Sequence, residues 1–149
     1  MEFMSRKCRE SDLPSLVNLC QNHALYEQAS YATEGKEELL KQAIFSKNPP
    51  LYCHIIEVAE KVVGYFSYTI DFSTWEAKTF LHLDCLYLEP EIRGFKIGEA
   101  IFEELKGLAQ AKGCCMLQWQ TPVFNEKAIR FYHRMGATSK DKVRFFLEV

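Results

Sequence analysis

The chain has 149 residues, 48% of them hydrophobic and 26% charged, which is one domain's worth of sequence with ample material for a core. Its net charge of −2 offers no global basic field for nucleic acid, and no apolar run approaches the ~20 residues that span a bilayer. The opening Met1-Glu2-Phe3-Met4-Ser5-Arg6-Lys7 lacks the apolar stretch of a signal peptide, so we expect a single cytoplasmic domain over 1–149, with neither membrane nor nucleic acid as partner.

Residues 2–8 can form a first strand, and Ser11 or Asp12 can cap a helix with Pro14 in its first turn. Leu13, Leu16, Val17, Cys20 and Ala24 share one face of that helix. A second helix is predicted over 36–45, stopped by Asn48-Pro49-Pro50. Strand-forming residues fill 52–59 and 62–70 around a turn at Glu60-Lys61, and a third strand is predicted over 79–88. A loop over 89–98 leads to a helix over 99–112, whose buried face is Ile97, Ile101, Leu105 and Leu108 and whose terminator is Gly113. A strand over 116–121 ends at Pro122, Asn125 can cap a helix through Met135 with Gly136 just beyond it, and 143–149 reads as a closing strand. The order is β-α-α-β-β-β-α-β-α-β. The β-helix-β stretch over 79–121 predicts a right-handed crossover between two parallel strands, and a glycine loop at the ends of such strands is a usual ligand site.

Charge is uneven along this order. Residues 1–92 carry a net −6 and residues 93–149 a net +4. That division suits an anionic ligand in the second half and a cationic one near the first, with scattered solvated charge as the plain alternative. The six cysteines, Cys8, Cys20, Cys53, Cys85, Cys114 and Cys115, show neither C-x-x-C nor zinc spacing and read as reduced core thiols, so no metal is expected.

Two segments carry chemistry. Arg93-Gly94-Phe95-Lys96-Ile97-Gly98 sits between a strand and a helix, where backbone N–H groups and the helix dipole favour phosphate oxygens. It matches neither the P-loop nor the G-x-G-x-x-G pattern, and by itself it is equally a plain turn. The second segment runs from Asn125 through Phe131-Tyr132 to Gly136-Ala137.

Together, R-G-x-x-I-G and N-x-x-A-x-x-F-Y-x-x-x-G-A, separated by a helix and a strand, resemble the GNAT superfamily of acyl-CoA-dependent N-acetyltransferases. Within it, the pieces Leu25-Tyr26-Glu27, Thr74-Trp75, His82-Leu83-Asp84, Arg93-Gly94-Phe95 and Phe131-Tyr132 resemble the spermidine/spermine and thialysine acetyltransferases. The resemblance implies an α/β fold of GNAT type, with a mixed central sheet of six to seven strands flanked by about four helices. It implies acetyl-CoA as cosubstrate, with pyrophosphate on the amides of Arg93, Gly94, Phe95, Lys96, Ile97 and Gly98. Pantetheine would run along Leu86 and Leu88, near Asn125. Lys96 stands where the family commonly has glycine, and a lysine there disfavours positive φ.

The same resemblance makes Tyr132 the general acid that protonates the departing thiolate. Asp84 becomes the base, acting directly or through a water, on a strand face it would share with Phe80, His82, Leu86 and Leu88. A strand-end acid in a bulge is the competing reading of Asp84. Tyr26, Glu27, Trp75 and Glu76 would join Asp84 around the acceptor, since acids attract a cationic amine and aromatic faces hold it. His23, His54 and His133 have no evident constellation. The expected activity is acetyl transfer to a small cationic amine of polyamine, diamine or lysine-analogue type, in a homodimer. The alternatives are acetylation of a protein or peptide, and a non-catalytic acetyl-CoA sensor.

Overall fold

Residues 1–149 are described by a computed structural model. The chain forms β1 (Met4–Lys7), a 3₁₀ turn (Glu10–Asp12), α1 (Leu13–Tyr26), α2 (Lys36–Ile44), β2 (Tyr52–Val58), β3 (Lys61–Ser73) and β4 (Lys78–Leu88). A second 3₁₀ turn (Pro90–Ile92), α3 (Ile97–Ala111), β5 (Leu117–Gln118) and α4 (Glu126–Arg134) follow. The strands make one mixed sheet in the order β1-β2-β3-β4-β5. Neighbours from β1 to β4 are antiparallel, and β5 runs parallel to β4 after the α3 crossover, as the sequence predicts.

Side chains alternate across the sheet, and both faces are covered. Ile56, Phe66 and Leu81 meet Ile101, Phe102 and Leu105 of α3 on one side, while Ile55, Tyr65 and Tyr87 meet Leu13, Leu16 and Leu19 of α1 on the other. Two-sided burial is why β2 and β3 read as nearly continuous apolar runs. Ile101 and Leu105 have no exposed surface, so truncating either to alanine should cost about 2–5 kcal/mol. Gly113 and Gly136 end α3 and α4 with φ of 74° and 96°. The Cys114 amide then donates to Ala109 O (2.8 Å) and the Ala137 amide to Tyr132 O (3.1 Å), closing the last turns as predicted.

Several expectations need correction. The sheet has five strands, not six to seven, because 143–149 forms none and Phe145 and Phe146 lie exposed. Its composition suits a strand, but a strand exists only against a partner ladder, and none of the five pairs with it. The predicted 116–121 strand shrinks to Leu117–Gln118, since its ladder with β4 is two pairs long. The first hairpin turns at Ala59-Glu60, with φ of 50° and 63°, a primed-type geometry reached without glycine or asparagine. The next strand runs on to Ser73 rather than ending at Ile70.

The two proposed helix caps bond elsewhere. Asp12 does precede α1, but its carboxylate accepts from Arg6 Nη1 (2.7 Å), Arg6 Nη2 (2.8 Å) and the Arg9 amide (2.7 Å). Arg6 also reaches Glu57 Oε1 at 2.6 Å, tying β1 and β2 to the start of α1. These bonds, the Arg6 bond foremost, hold the Asp12 carboxyl below its ordinary range. Asn125 precedes α4, but its side chain turns into the cleft described next.

Candidate active site

Strands β4 and β5 are paired only at Leu81–Leu117 and His82–Gln118. Beyond that point they diverge, and a cleft of about 180 Å³ opens between them, closed by α1, α3 and α4. The opening coincides with a bulge. Tyr68 pairs with Leu83 and Ser67 with Cys85, which leaves Asp84 as the extra residue of β4. The bulge reverses the facing of the strand. Leu81 and Leu83 pack toward α3 before it, and Leu86 and Leu88 do so after it. The face predicted for Phe80, His82, Asp84, Leu86 and Leu88 is therefore broken at Asp84, whose carboxylate is exposed and lines the cleft.

Leu86, Leu88 and Gly98 line the cleft with Asp84, and α4 contributes Tyr132. The Tyr132 ring is packed among Trp119, Phe131 and Phe102, at centroid distances of 5.4, 5.6 and 5.8 Å. Burial, then the charge of Glu27, pushes its phenol up to about 12, so the hydroxyl keeps its proton at neutral pH. Gly98 permits this packing, since a Cβ there would stand 3.2 Å from the Phe131 ring.

The end of α1 forms the opposite wall. Tyr26 Oη donates to Asn125 Oδ1 (3.4 Å), and Asn125 Nδ2 donates to Thr121 Oγ1 (3.1 Å). The Arg93 guanidinium lies 4.5 Å from the Tyr26 ring centre and 5.4 Å from that of Tyr87, while its Nε donates to the Leu88 carbonyl at 2.8 Å. Arg93 is thus a strut between β4 and α1. Glu27 also lines the cleft, and its Oε2 stands 2.5 Å from His23 Nε2.

Just past the cleft, Gly94 and Lys96 both adopt positive φ, 85° and 62°. Lys96 takes the left-handed conformation that the sequence disfavours, at about 1–2 kcal/mol for a residue with a Cβ. The backbone amides of Gly94, Phe95, Lys96, Ile97, Gly98 and Glu99 are left without a backbone acceptor. A row of free donors at the N-terminus of a 15-residue helix is suited to an anion. The Ile97 side chain is core, Phe95 is half exposed, and the Lys96 side chain borders a separate groove of about 1000 Å³ between α3 and α4.

Two proposed residues are not in the cleft. Trp75 and Glu76 sit in the tight turn joining β3 to β4, with Trp75 93% exposed, because β3 and β4 extend as a long ladder that carries the turn away from the sheet. Trp119 and His23 line the cleft without having been assigned to it. For His23 the signal was the i, i+4 spacing to Glu27; for Trp119 nothing short of the strand divergence gives it away. No three His, Cys, Asp or Glu side chains gather as a metal site, and no helix is long and apolar enough to cross a membrane.

The pattern of the Acetyltransferase (GNAT) family matches residues 16–137. The thialysine N-epsilon-acetyltransferase of Bos taurus is 30% identical over 142 residues, covering 90% of this chain and 83% of that protein. The spermidine/spermine N(1)-acetyltransferase-like protein 1 of Homo sapiens is 26% identical, over 91% of this chain but 20% of its own length. Among solved structures, a possible acetyltransferase from Clostridium difficile 630 superposes with a TM-score of 0.82 at 20% identity, covering 100% of this chain and 99% of that one. An aminoglycoside N-acetyltransferase in complex with CoA gives 0.81 at 13% identity, covering 99% and 95%.

Proposed function

The chain belongs to the GNAT family of acetyltransferases and is an acyltransferase, and from that premise we propose that it transfers acetyl from acetyl-CoA directly to a primary amine of a small cationic metabolite, of polyamine, diamine or lysine-analogue type. The observation that carries this reading is that Glu27, Asp84 and Tyr132 line one cleft. Two carboxylates and a protonated phenol around one opening suit a cation that must lose a proton while a leaving group gains one.

Acetyl-CoA supplies the thioester whose acyl carbon is attacked. The chain's features fit it: free amides over 94–99 for the pyrophosphate, with Lys96 beside them, and the diverging edge of β4 at Leu86 and Leu88 for the pantetheine. Because the Leu88 carbonyl is held by Arg93, Arg93 shapes the wall in this reading and the loop amides hold the phosphates. Glu27 and Asp84 attract the ammonium. Asp84 then takes its proton, directly or through a water, because only the neutral amine has a lone pair for the carbonyl carbon. As the C–S bond breaks, the Tyr132 hydroxyl protonates the sulfur.

Direct attack needs no cysteine nucleophile. Burial, then the charge of Asp84, pushes the Cys85 thiol up to about 12, and a thiol so held is a poor nucleophile. The reading also makes the chain a cytoplasmic homodimer, in which Trp75 and Glu76 meet an acceptor only where two copies come together. A thiol-release assay with acetyl-CoA across polyamines, diamines, lysine analogues and peptides tests it. Turnover with a small amine is expected. Peptide turnover alone would transfer the acceptor role to proteins, and acetyl-CoA binding without any turnover would leave a sensor.

A further inference from the structure

We propose that His23 is a positioning residue for the acceptor end of the cleft: it fixes the Glu27 carboxylate and, on gaining a proton, cancels that carboxylate's pull on a cationic amine, so that amine capture weakens as pH falls. The proposal rests on the amine reading above and assigns to one side chain the acid limb of amine binding.

His23 is held on both ring nitrogens. Nε2 stands 2.5 Å from Glu27 Oε2 and Nδ1 stands 2.9 Å from the Tyr65 hydroxyl. Its ring is stacked on Tyr87 at 5.3 Å. The imidazole is 13% exposed and the Glu27 side chain 33%, so the histidine is the inner member and the carboxylate faces the opening. A carboxylate only accepts hydrogen bonds, so Nε2 carries a proton and Nδ1 of the neutral ring accepts from Tyr65. Burial pushes the Tyr65 phenol far above its ordinary range, so Tyr65 can donate or accept but does not become an anion. When Nδ1 carries a proton as well, the bond reverses and the Tyr65 hydroxyl oxygen accepts it.

The change of charge is therefore local. With a neutral imidazole the His23–Glu27 pair carries −1; with a protonated one it carries zero. The other groups around it come from every neighbouring element. On α1, Cys20 and Asn22 lie nearby, with Asn22 Nδ2 donating to Glu89 Oε1 at 3.1 Å. On β3 there is Tyr65. On β4 there are Asp84, Cys85 and Tyr87, whose hydroxyl donates to Glu89 Oε2 at 3.1 Å. Beyond β4, Arg93 stands over Tyr87 as the counter-charge, and α4 offers Asn125 and Tyr132. Glu27 is the one charged side chain bonded to the imidazole. A primary alkylamine stays cationic from about pH 6 to 8, while histidine is the side chain that changes charge there. A pH-dependent KM for the amine in this range thus reports on the pair, whereas proton removal from the bound amine appears in kcat.

The test uses spermidine and thialysine as acceptors, with KM and kcat measured from about pH 6 to about 8 for the native chain, His23→Gln and His23→Leu. In the native chain the amine KM should rise on the acid side by up to about fivefold, the rise that removing the Glu27 charge gives. His23→Gln keeps a donor for Glu27 but cannot titrate, so its KM should vary by less than about twofold over the same range. His23→Leu loses the bond as well, and its KM should be raised at every pH. A second readout needs no turnover: proton NMR of the imidazole C2 resonances, with His23 assigned as the signal missing from His23→Gln. In Glu27→Gln that signal should be displaced from its native position at one fixed pH, because the imidazole has lost its carboxylate partner. An undisplaced signal, or a His23→Gln variant whose KM follows the native pH profile, overturns the proposal while leaving the amine reading intact. Acetylation of peptides alone would sink the amine reading, and this proposal with it.

Discussion

Tyr132→Phe is the most direct test of the chemistry. The substitution deletes one hydroxyl and keeps a ring packed at 5.4–5.8 Å centroid distances against Trp119, Phe131 and Phe102. Stability should therefore change by no more than about 1 kcal/mol. Losing a general acid typically costs ~10²–10⁴-fold in rate, or about 2.7–5.4 kcal/mol in the barrier. Initial rates of thiol release should show that loss in kcat, while calorimetry gives an acetyl-CoA Kd within about twofold of the native value. The pH profile adds an independent constraint. With its phenol pushed up to about 12, Tyr132 stays protonated through neutral and mildly alkaline pH, so it should contribute no alkaline fall in kcat until near that value. Native turnover in Tyr132→Phe would reduce the residue to packing. A fall centred near pH 10 that disappears in the variant would refute the burial argument.

Glu27→Gln should raise the amine KM about fivefold, and added salt should raise the native KM while leaving the variant less responsive, since exposed charge acts over roughly 8–10 Å. Arg6→Met strands the Asp12 and Glu57 carboxylates, whose side chains are 8% and 20% exposed; it should cost about 3 kcal/mol, a fall of about 6–12 °C in Tm. Because the Asp12 carboxyl is held low in the folded chain, its contribution is fully present above its unfolded titration and is lost as pH falls through the folded one. Asp12→Asn should therefore flatten the acid limb of Tm against pH; an unchanged limb would exclude Asp12 as its source. Lys96→Gly removes left-handed strain and should raise Tm by about 2–8 °C, whereas Lys96→Ala should not. Both should raise the acetyl-CoA Kd, and a Kd indifferent to either would remove Lys96 from the phosphate end.

Much of the fold was legible because local signals agreed with the tertiary solution. The Gly113 and Gly136 stops, the Ile97-Ile101-Leu105 stripe and the α3 crossover are each written in a few adjacent residues. What failed was whatever depends on a distant partner. Asp12 looks like a cap until Arg6 and Glu57 arrive from β1 and β2, and a charged bond to a buried guanidinium outweighs one to a helix amide. Residues 143–149 have the composition of a strand but lack the ladder that would make one. Leu19 is buried where Ala24 was expected, because α1 packs on Tyr65 and Tyr87, which the helix's own periodicity cannot register.

The site was half legible for the same reason, and Asp84 shows how. Period-two alternation puts it on one face with Leu86 and Leu88 and, equally, with His82. Both cannot hold, because Leu83 and Leu86 pack toward the same helix. One extra residue resolves the conflict, and that residue is Asp84 itself. A bulge leaves its residue outside the ladder and increases the local twist. Here that one irregularity turns Leu86 and Leu88 toward the α3 side and releases β4 from β5 after two pairs. It also leaves a carboxylate exposed at the mouth of the opening. The opening and the acid that lines it share one cause. Deleting Asp84 should accordingly do more than remove a carboxylate: it would leave a regular ladder with Leu86 and Leu88 still toward α3, remove the local twist that parts β4 from β5, and abolish acetyl-CoA binding. Asp84→Asn, with the bulge intact, should lower turnover while keeping acetyl-CoA affinity. Equal loss of affinity in both variants would show that the side chain, and not the bulge, builds the cleft.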